Sequence, residues 1–233
     1  MVTEVDNAAD LLTDEQSRKL ARWEIVSVVT SGLIAEWVVL AFAGSNKLVA
    51  AVPILLALGF MFRSHHERGE SLKELGFRID NFGAACRLLL LPTVGVALLA
   101  VAFALFRSQP VFVAPWRNRF LLLPIWSLFQ QYVLNGFLNR RAQLGIGKSW
   151  KSVILVALIF SLFHFPNPAL AVVTFVGGMV WAMVYQRQPN LFALAFSHAI
   201  ASVTLALTLP INVLNGLRVG FKYFGQVAGI PWF

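Results

Sequence analysis

Residues 119–141, RFLLLPIWSLFQQYVLNGFLNRR, form an apolar run long enough to enter a bilayer, yet two adjacent amides, Gln130 and Gln131, sit near its middle. An unsatisfied polar side chain costs free energy in hydrocarbon. The pair therefore predicts a polar partner or a wet cavity inside a helix bundle, not a lipid-facing surface. Two later apolar runs each bring a histidine, His164 in FSLFHFPNP and His198 in LFALAFSHAIAS. The question posed by the chain is whether these three stretches converge on one site.

The rest of the composition agrees with a membrane setting. The chain is 58% hydrophobic with a mean hydropathy of +0.71, more apolar surface than one soluble core of 233 residues can hide. All eleven acidic residues lie between Glu4 and Asp80, and the chain beyond Asp80 holds only basic charges, mostly in short loops between apolar runs. Alternation of that kind reads as membrane topology, with the lipid bilayer as partner and no nucleic acid. The single Cys86 excludes an internal disulfide and a cysteine metal cluster. The start, MVTEVDNAADLLTDEQ, is acidic and shows no cleavable signal peptide.

The expected architecture is all-α, a polytopic transmembrane helix bundle of about seven to eight spans. Residues 1–22 form a cytoplasmic N-terminal segment with an amphipathic lead-in at 9–22, and residues 23–233 form one membrane domain. Spans are expected at Ile25–Ala43, Leu48–Phe62, Ala84–Phe106, 119–138, Ser149–Phe165, Ala169–Tyr185 and Leu191–Leu209. Gly177 and Gly178 permit close packing in the sixth, and residues 211–233 are too mixed to assign. Counted by alternate ends, Lys and Arg divide twelve against six, with the larger share on the side of the N-terminus and of the loops at 63–82 and 139–150. That bias places the N-terminus in the cytoplasm.

Neighbouring residues on a helix point about 100° apart, so Gln130 and Gln131 cannot serve one partner equally. Asn135 lies about one turn further along and extends the pair into a polar stripe. That stripe serves either to fix the bundle by interhelical hydrogen bonds or to build a site. His164 follows Phe160 at helical spacing and precedes the helix-stopping Pro166. His198 lies inside its span with Ser202 one turn later on the same face. At about 1.5 Å per residue, Gln130 and His198 fall at similar depths and His164 roughly 8–10 Å further out, a spacing that tilt must absorb if the three converge. Glu36 is the one carboxylate well inside a span. It serves as a base, completes a His164/His198/Glu36 metal site, or pairs with Arg87 or a neighbouring helix.

QQYVLNGFLNRR resembles the first motif of the CAAX prenyl protease and bacteriocin-processing (CPBP, Abi) intramembrane protease family, which reads Glu-Glu-x-x-x-Arg followed by Gly. FSLFH resembles its second motif, Phe-x-x-x-His, and HAIAS its third, His-x-x-x-Asn or Asp. The order is the family's, ELGFRIDNF is similar to the loop before them, and the motif core spans about 119–209 within a resemblance covering about 70–218. The resemblance implies an intramembrane CAAX-type endopeptidase scaffold acting on prenylated or hydrophobic peptides, without a metal or other cofactor. Matched by position, the catalytic roles fall on Gln130, Gln131, His164, His198 and Ser202, and the substrate-binding ones on Asn135 and Phe160.

Only the two histidines keep the family's residue type. An amide keeps the shape of a carboxylate but has no useful basicity, and loss of a general base costs about 10²–10⁴ in rate. Asn135 stands where the family has Arg, so the acids and their countercharge are absent together, as the cost of an unpaired buried charge requires. The expectation is a neutral site with weakened or lost proteolysis. The alternative is a non-catalytic pseudoprotease that binds a membrane peptide as an immunity or processing partner.

Overall fold

The computed structural model describes residues 2–43, 46–107 and 117–224. Helix α1 (Val2–Ile34) passes through a π turn, Ala35–Val39, into Leu40–Ala43. The lead-in expected at 9–22 is thus continuous with the first span. Helix α2 (Lys47–Glu67) is opened by Asn46, whose Oδ1 accepts from the backbone of Leu48 and Val49. The short α3 (Leu72–Leu75) is set by a Ser71–Glu74 capping box and closed by Gly76 in the left-handed conformation at φ +99°. Helix α4 covers Phe82–Phe106.

The glutamine-bearing stretch forms one unbroken rod. Helix α5 (Arg117–Gln131) continues through a π segment, Tyr132–Asn139, into α6 (Arg140–Ile146), which ends at Gly147. Helix α7 (Trp150–Leu162) starts in a Ser149–Ser152 capping box. Helices α8 (Pro168–Arg187) and α9 (Leu191–Thr208) start at Asn167 and Asn190, whose side chains accept from the first-turn N–H groups of Leu170 and Ala193. Short turns occupy Ile211–Leu214, Asn215–Leu217 and Gly220–Tyr223. Among the described residues there is no strand.

Among the described residues, four helical stretches are long and apolar enough to cross a membrane: Asp14–Ala43, Phe82–Phe106, Pro168–Arg187 and Leu191–Thr208. The protein is an integral membrane protein with an all-α helical bundle. Leu48–Phe62 lies within α2 and leaves large apolar side chains such as Leu48, Leu55, Leu56 and Phe62 exposed, as a lipid-facing surface would. At 13 residues α7 is about 20 Å long, short of the ~30 Å hydrocarbon core, so this segment does not cross alone as a straight helix.

Helix α9 is the centre of the bundle, packed on α4 on one side and α5 on the other, while α7 lies along α8 and α6 along α1. The close approach of α7 and α8 runs through Gly178, where a Cβ would stand 3.0 Å from Ala157 Cα. Gly177, by contrast, faces Trp181 of its own helix. Phe137, Val156, Leu191 and Leu194 form the buried centre of the packing, directly beside the polar rod.

Candidate functional site

The rod turns its two glutamines in different directions. Gln131 is fully buried and its Nε2 lies 3.2 Å from His198 Nδ1 on α9. Gln130, one position earlier, is half-buried, and none of the hydrogen bonds among the described residues uses its side chain. The 100° step between neighbours, applied to a helix packed on α9, separates them in this way.

From Gln131 a line of amides runs along the rod. Asn135 Nδ2 donates to Gln131 Oε1 at 2.7 Å, and Asn139 Nδ2 donates to Asn135 Oδ1 at 2.8 Å. Asn139 Nδ2 also reaches the backbone oxygen of Ala182 on α8 at 3.2 Å, while its Oδ1 accepts from Gln186 at 3.0 Å and Gln143 at 3.3 Å. Four residues of α-helix overshoot a full turn by about 40°, whereas the wider π turn undershoots. Mixing the two keeps residues 131, 135 and 139 nearly in line. All three side chains are fully buried, so each amide has to find its partners within the protein.

His198 is held on its faces as well as at Nδ1. The Trp181 ring lies 4.4 Å from it, tilted by 30°, and Phe160 meets it edge-on at 5.8 Å. Trp181 is itself oriented by donating from Nε1 to Ser197 Oγ at 3.1 Å, and Ser197 shares a 2.7 Å hydrogen bond with Thr93 of α4. His164 lies just past the end of α7. Its ring is 4.7 Å from Phe160, and its Nδ1 is 2.6 Å from the Phe160 backbone oxygen. A carbonyl oxygen only accepts, so His164 carries its proton on Nδ1 and keeps the lone pair of Nε2 free.

The structure therefore joins His164, Phe160, His198, Gln131 and Asn135 into one contact chain, with Phe160 absorbing the depth difference between the two histidines. Gln130 and Ser202 take no hydrogen bond in it. Glu36 lies elsewhere, against Gly220 of the turn that follows α9, and not with Arg87, which is exposed and donates to the Gly83 backbone oxygen. Among the described residues no group of three or more His, Cys, Asp or Glu side chains stands together as metal ligands.

The sequence reading missed two groups. Asn139 continues the four-residue spacing of Gln131 and Asn135, and that period was the available signal. The second group is ionic. Arg141, completely buried, pairs with Glu70 through both carboxylate oxygens at 3.0 and 2.8 Å, and its Nη2 donates to Ser64 Oγ. Arg141 Nε lies 2.9 Å from Glu24 Oε2, near enough for an ion pair although its N–H does not point at the oxygen. Glu70 also takes Arg140 and His65, and Glu24 takes Arg68 and Ser64. The loops at 63–82 and 139–150 thus lie on one face of the protein. Burial works to raise the Glu70 carboxyl, but the hydrogen bonds from His65 and Arg141, with the Arg141 charge and the Arg140 hydrogen bond, outweigh it and hold that group well below the usual carboxylate range.

Residues 113–204 match the family model of the type II CAAX prenyl endopeptidases, Rce1-like. Neither the curated proteins nor the solved structures compared with the chain gave a match. The matched segment contains both glutamines, Asn135, Asn139, Phe160, both site histidines and Ser202, so the family model covers the whole contact chain. Over residues 113–204 the chain is therefore similar to the Rce1-like type II CAAX prenyl endopeptidases.

Proposed function

We propose that this protein engages a lipidated or hydrophobic peptide at the His164–Phe160–His198 site and hydrolyses it weakly or not at all. The observation that carries this reading is the occupation of Gln131. Its oxygen accepts from Asn135 and its nitrogen faces His198, so both ends of the amide are committed to a neutral network. Hydrolysis needs a group that takes a proton from water as it attacks the peptide carbonyl, and an amide does not provide one. What the site retains is recognition: two imidazoles with free ring nitrogens beside aromatic walls, suited to hydrogen-bonding a peptide in an apolar setting.

A second reading, residual endopeptidase activity, is favoured by the His164 tautomer. With Nδ1–H bound to the Phe160 oxygen, His164 Nε2 is a lone pair able to take a proton from water. On that reading Gln130, half-buried and uncommitted, positions the water, and Ser202 lies on the oxyanion side.

The test uses purified full-length protein in detergent with a prenylated reporter peptide carrying a photo-crosslinker, compared with His164→Ala and His198→Ala. Specific crosslinking with little cleavage, reduced in both variants, is the expected result. Turnover that disappears in His164→Ala establishes the second reading. Robust turnover that survives His164→Ala places the chemistry elsewhere and overturns both.

A further inference from the structure

The amide line along the rod has a direction, and its direction is set at the end remote from His198. Ala182 O is a backbone carbonyl and can only accept, so the side of the Asn139 amide that faces it is the nitrogen. The Asn139 oxygen is held in the same sense by the donors Gln186 and Gln143. Gln186 is anchored in turn on Ser152 Oγ, whose own proton goes to the Ser149 backbone oxygen. With Asn139 Nδ2 also against Asn135 Oδ1, the nitrogen of Asn135 must face Gln131 Oε1. The nitrogen of Gln131 must then face His198 Nδ1. Reversing any one amide would set two oxygens or two N–H groups against each other in a fully buried line.

We infer that Asn139 is a positioning residue which, by reading the Ala182 backbone oxygen, fixes His198 as the Nε2–H tautomer. His198 Nδ1 then accepts from Gln131 and its Nε2 presents a proton to the site, with no hydrogen-bond partner among the described residues. His164 is the opposite tautomer, held by the Phe160 oxygen with its Nε2 bare. One imidazole therefore offers a donor and the other an acceptor, on either side of the Phe160 ring. Such a pair can meet the carbonyl oxygen and the N–H, respectively, of one peptide. The inference deepens the peptide-binding reading and rests on it for its functional meaning, but the tautomer itself does not depend on any activity.

The two claims separate in one set of samples. Full-length protein with 15N-labelled histidine in lipid nanodiscs gives imidazole nitrogen signals that distinguish the two neutral tautomers. The chain has four histidines, so His198 is assigned by the signals lost in His198→Gln. In the wild type at pH 8, His198 is expected to be Nε2–H in excess of about tenfold over the other form, the size of one committed buried hydrogen bond. Asn139→Asp supplies only acceptors at the head of the line, so Asn135 and Gln131 turn over and His198 becomes Nδ1–H.

Asn139→Ala, which introduces no charge, removes the reference and is expected to yield both tautomers in comparable amounts. An Nδ1–H His198 in the wild type overturns the inference whatever the variants do. A folded Asn139→Ala protein whose His198 remains a single Nε2–H tautomer overturns the role of Asn139. Expected tautomers with no crosslinking of the prenylated peptide reject the proposed function and leave the inference standing, whereas crosslinking with an Nδ1–H His198 does the reverse.

Discussion

Arg141 and Glu70, 71 residues apart in the chain, meet as a two-pronged ion pair at 3.0 and 2.8 Å inside the bundle, with the guanidinium completely buried. Arg141 also closes on Glu24, so one cation ties α6 to both α1 and the loop before α3. Truncating such a residue takes one buried countercharge from each of two carboxylates, leaving Glu70 with Arg140 and Glu24 with Arg68. Arg141→Ala is expected to destabilise the protein by about 3–5 kcal/mol. Arg141→Lys should recover only part of this, because an ammonium cannot take both oxygens in parallel. Thermal unfolding in detergent measures both.

The same pair predicts an acid limit. The Glu70 carboxyl is held below its ordinary value of 4.5 in the folded protein, so the unfolded chain binds its proton first as pH falls. The stabilisation is fully present above the ordinary carboxylate value and is lost as pH drops from there toward the depressed folded value. The unfolding midpoint should accordingly change little between pH 8 and about 5 on account of this group, and fall below about pH 4. Glu70→Gln should lower stability at neutral pH and flatten the acid limb. An acid limb unchanged in that variant would assign it to other carboxylates.

Two left-handed glycines separate conformational strain from crowding. Gly69, at φ +63°, has nothing within 4 Å of a Cβ, so Gly69→Ala is expected to cost about 1 kcal/mol from backbone strain alone. Gly76, at φ +99°, would bring its Cβ within 3.2 Å of Leu191 N, the same N–H that donates to the Gly76 oxygen at 2.8 Å. Gly76→Ala should therefore cost more, roughly 2–3 kcal/mol, by adding a backbone clash and a weakened hydrogen bond to the strain. Equal midpoints for the two variants would contradict the packing of α3 on the start of α9.

The two adjacent glutamines should respond differently to the same change. Gln131→Leu strands the Asn135 nitrogen and the His198 ring nitrogen in a buried setting, an expected loss of about 2–4 kcal/mol. Gln130→Leu breaks no hydrogen bond among the described residues and should stay within about 0.5 kcal/mol. Unfolding midpoints of the two single variants decide the orientation of the whole rod.

Ser71 and Ser149 are both exposed on the face where Arg140 and Glu70 join the two polar loops. The Lys and Arg bias predicts that this face is cytoplasmic. In a Cys86→Ala background, cysteines introduced at Ser71 and Ser149 should both resist an impermeant thiol reagent in intact cells and react after permeabilisation. Modification of both in intact cells inverts the topology. Modification of only one contradicts the ion-paired face itself.

The sequence by itself determined the helices and most of their ends. Apolar runs, Asn46, Ser71, Asn167 and Asn190 as caps, and Gly76 and Gly147 as stops act within a few residues, and a chain in hydrocarbon has to satisfy its backbone within each segment. The order of the three motifs was legible for the same local reason, and it located the segment that matches the endopeptidase family. Tertiary structure alone decided which glutamine meets His198, since that depends on how α5 is rotated against α9, and sequence spacing leaves rotation open. It recruited Asn139, because Ala182 on another helix gives that amide its partner. It drew Arg140 and Arg141 of the polar loop at 139–150 into a network with Glu24 and Glu70, and placed Glu36 against Gly220. Each of these pairings joins segments far apart in the chain, and their energies depend on desolvation and geometry that exist only once the helices have packed.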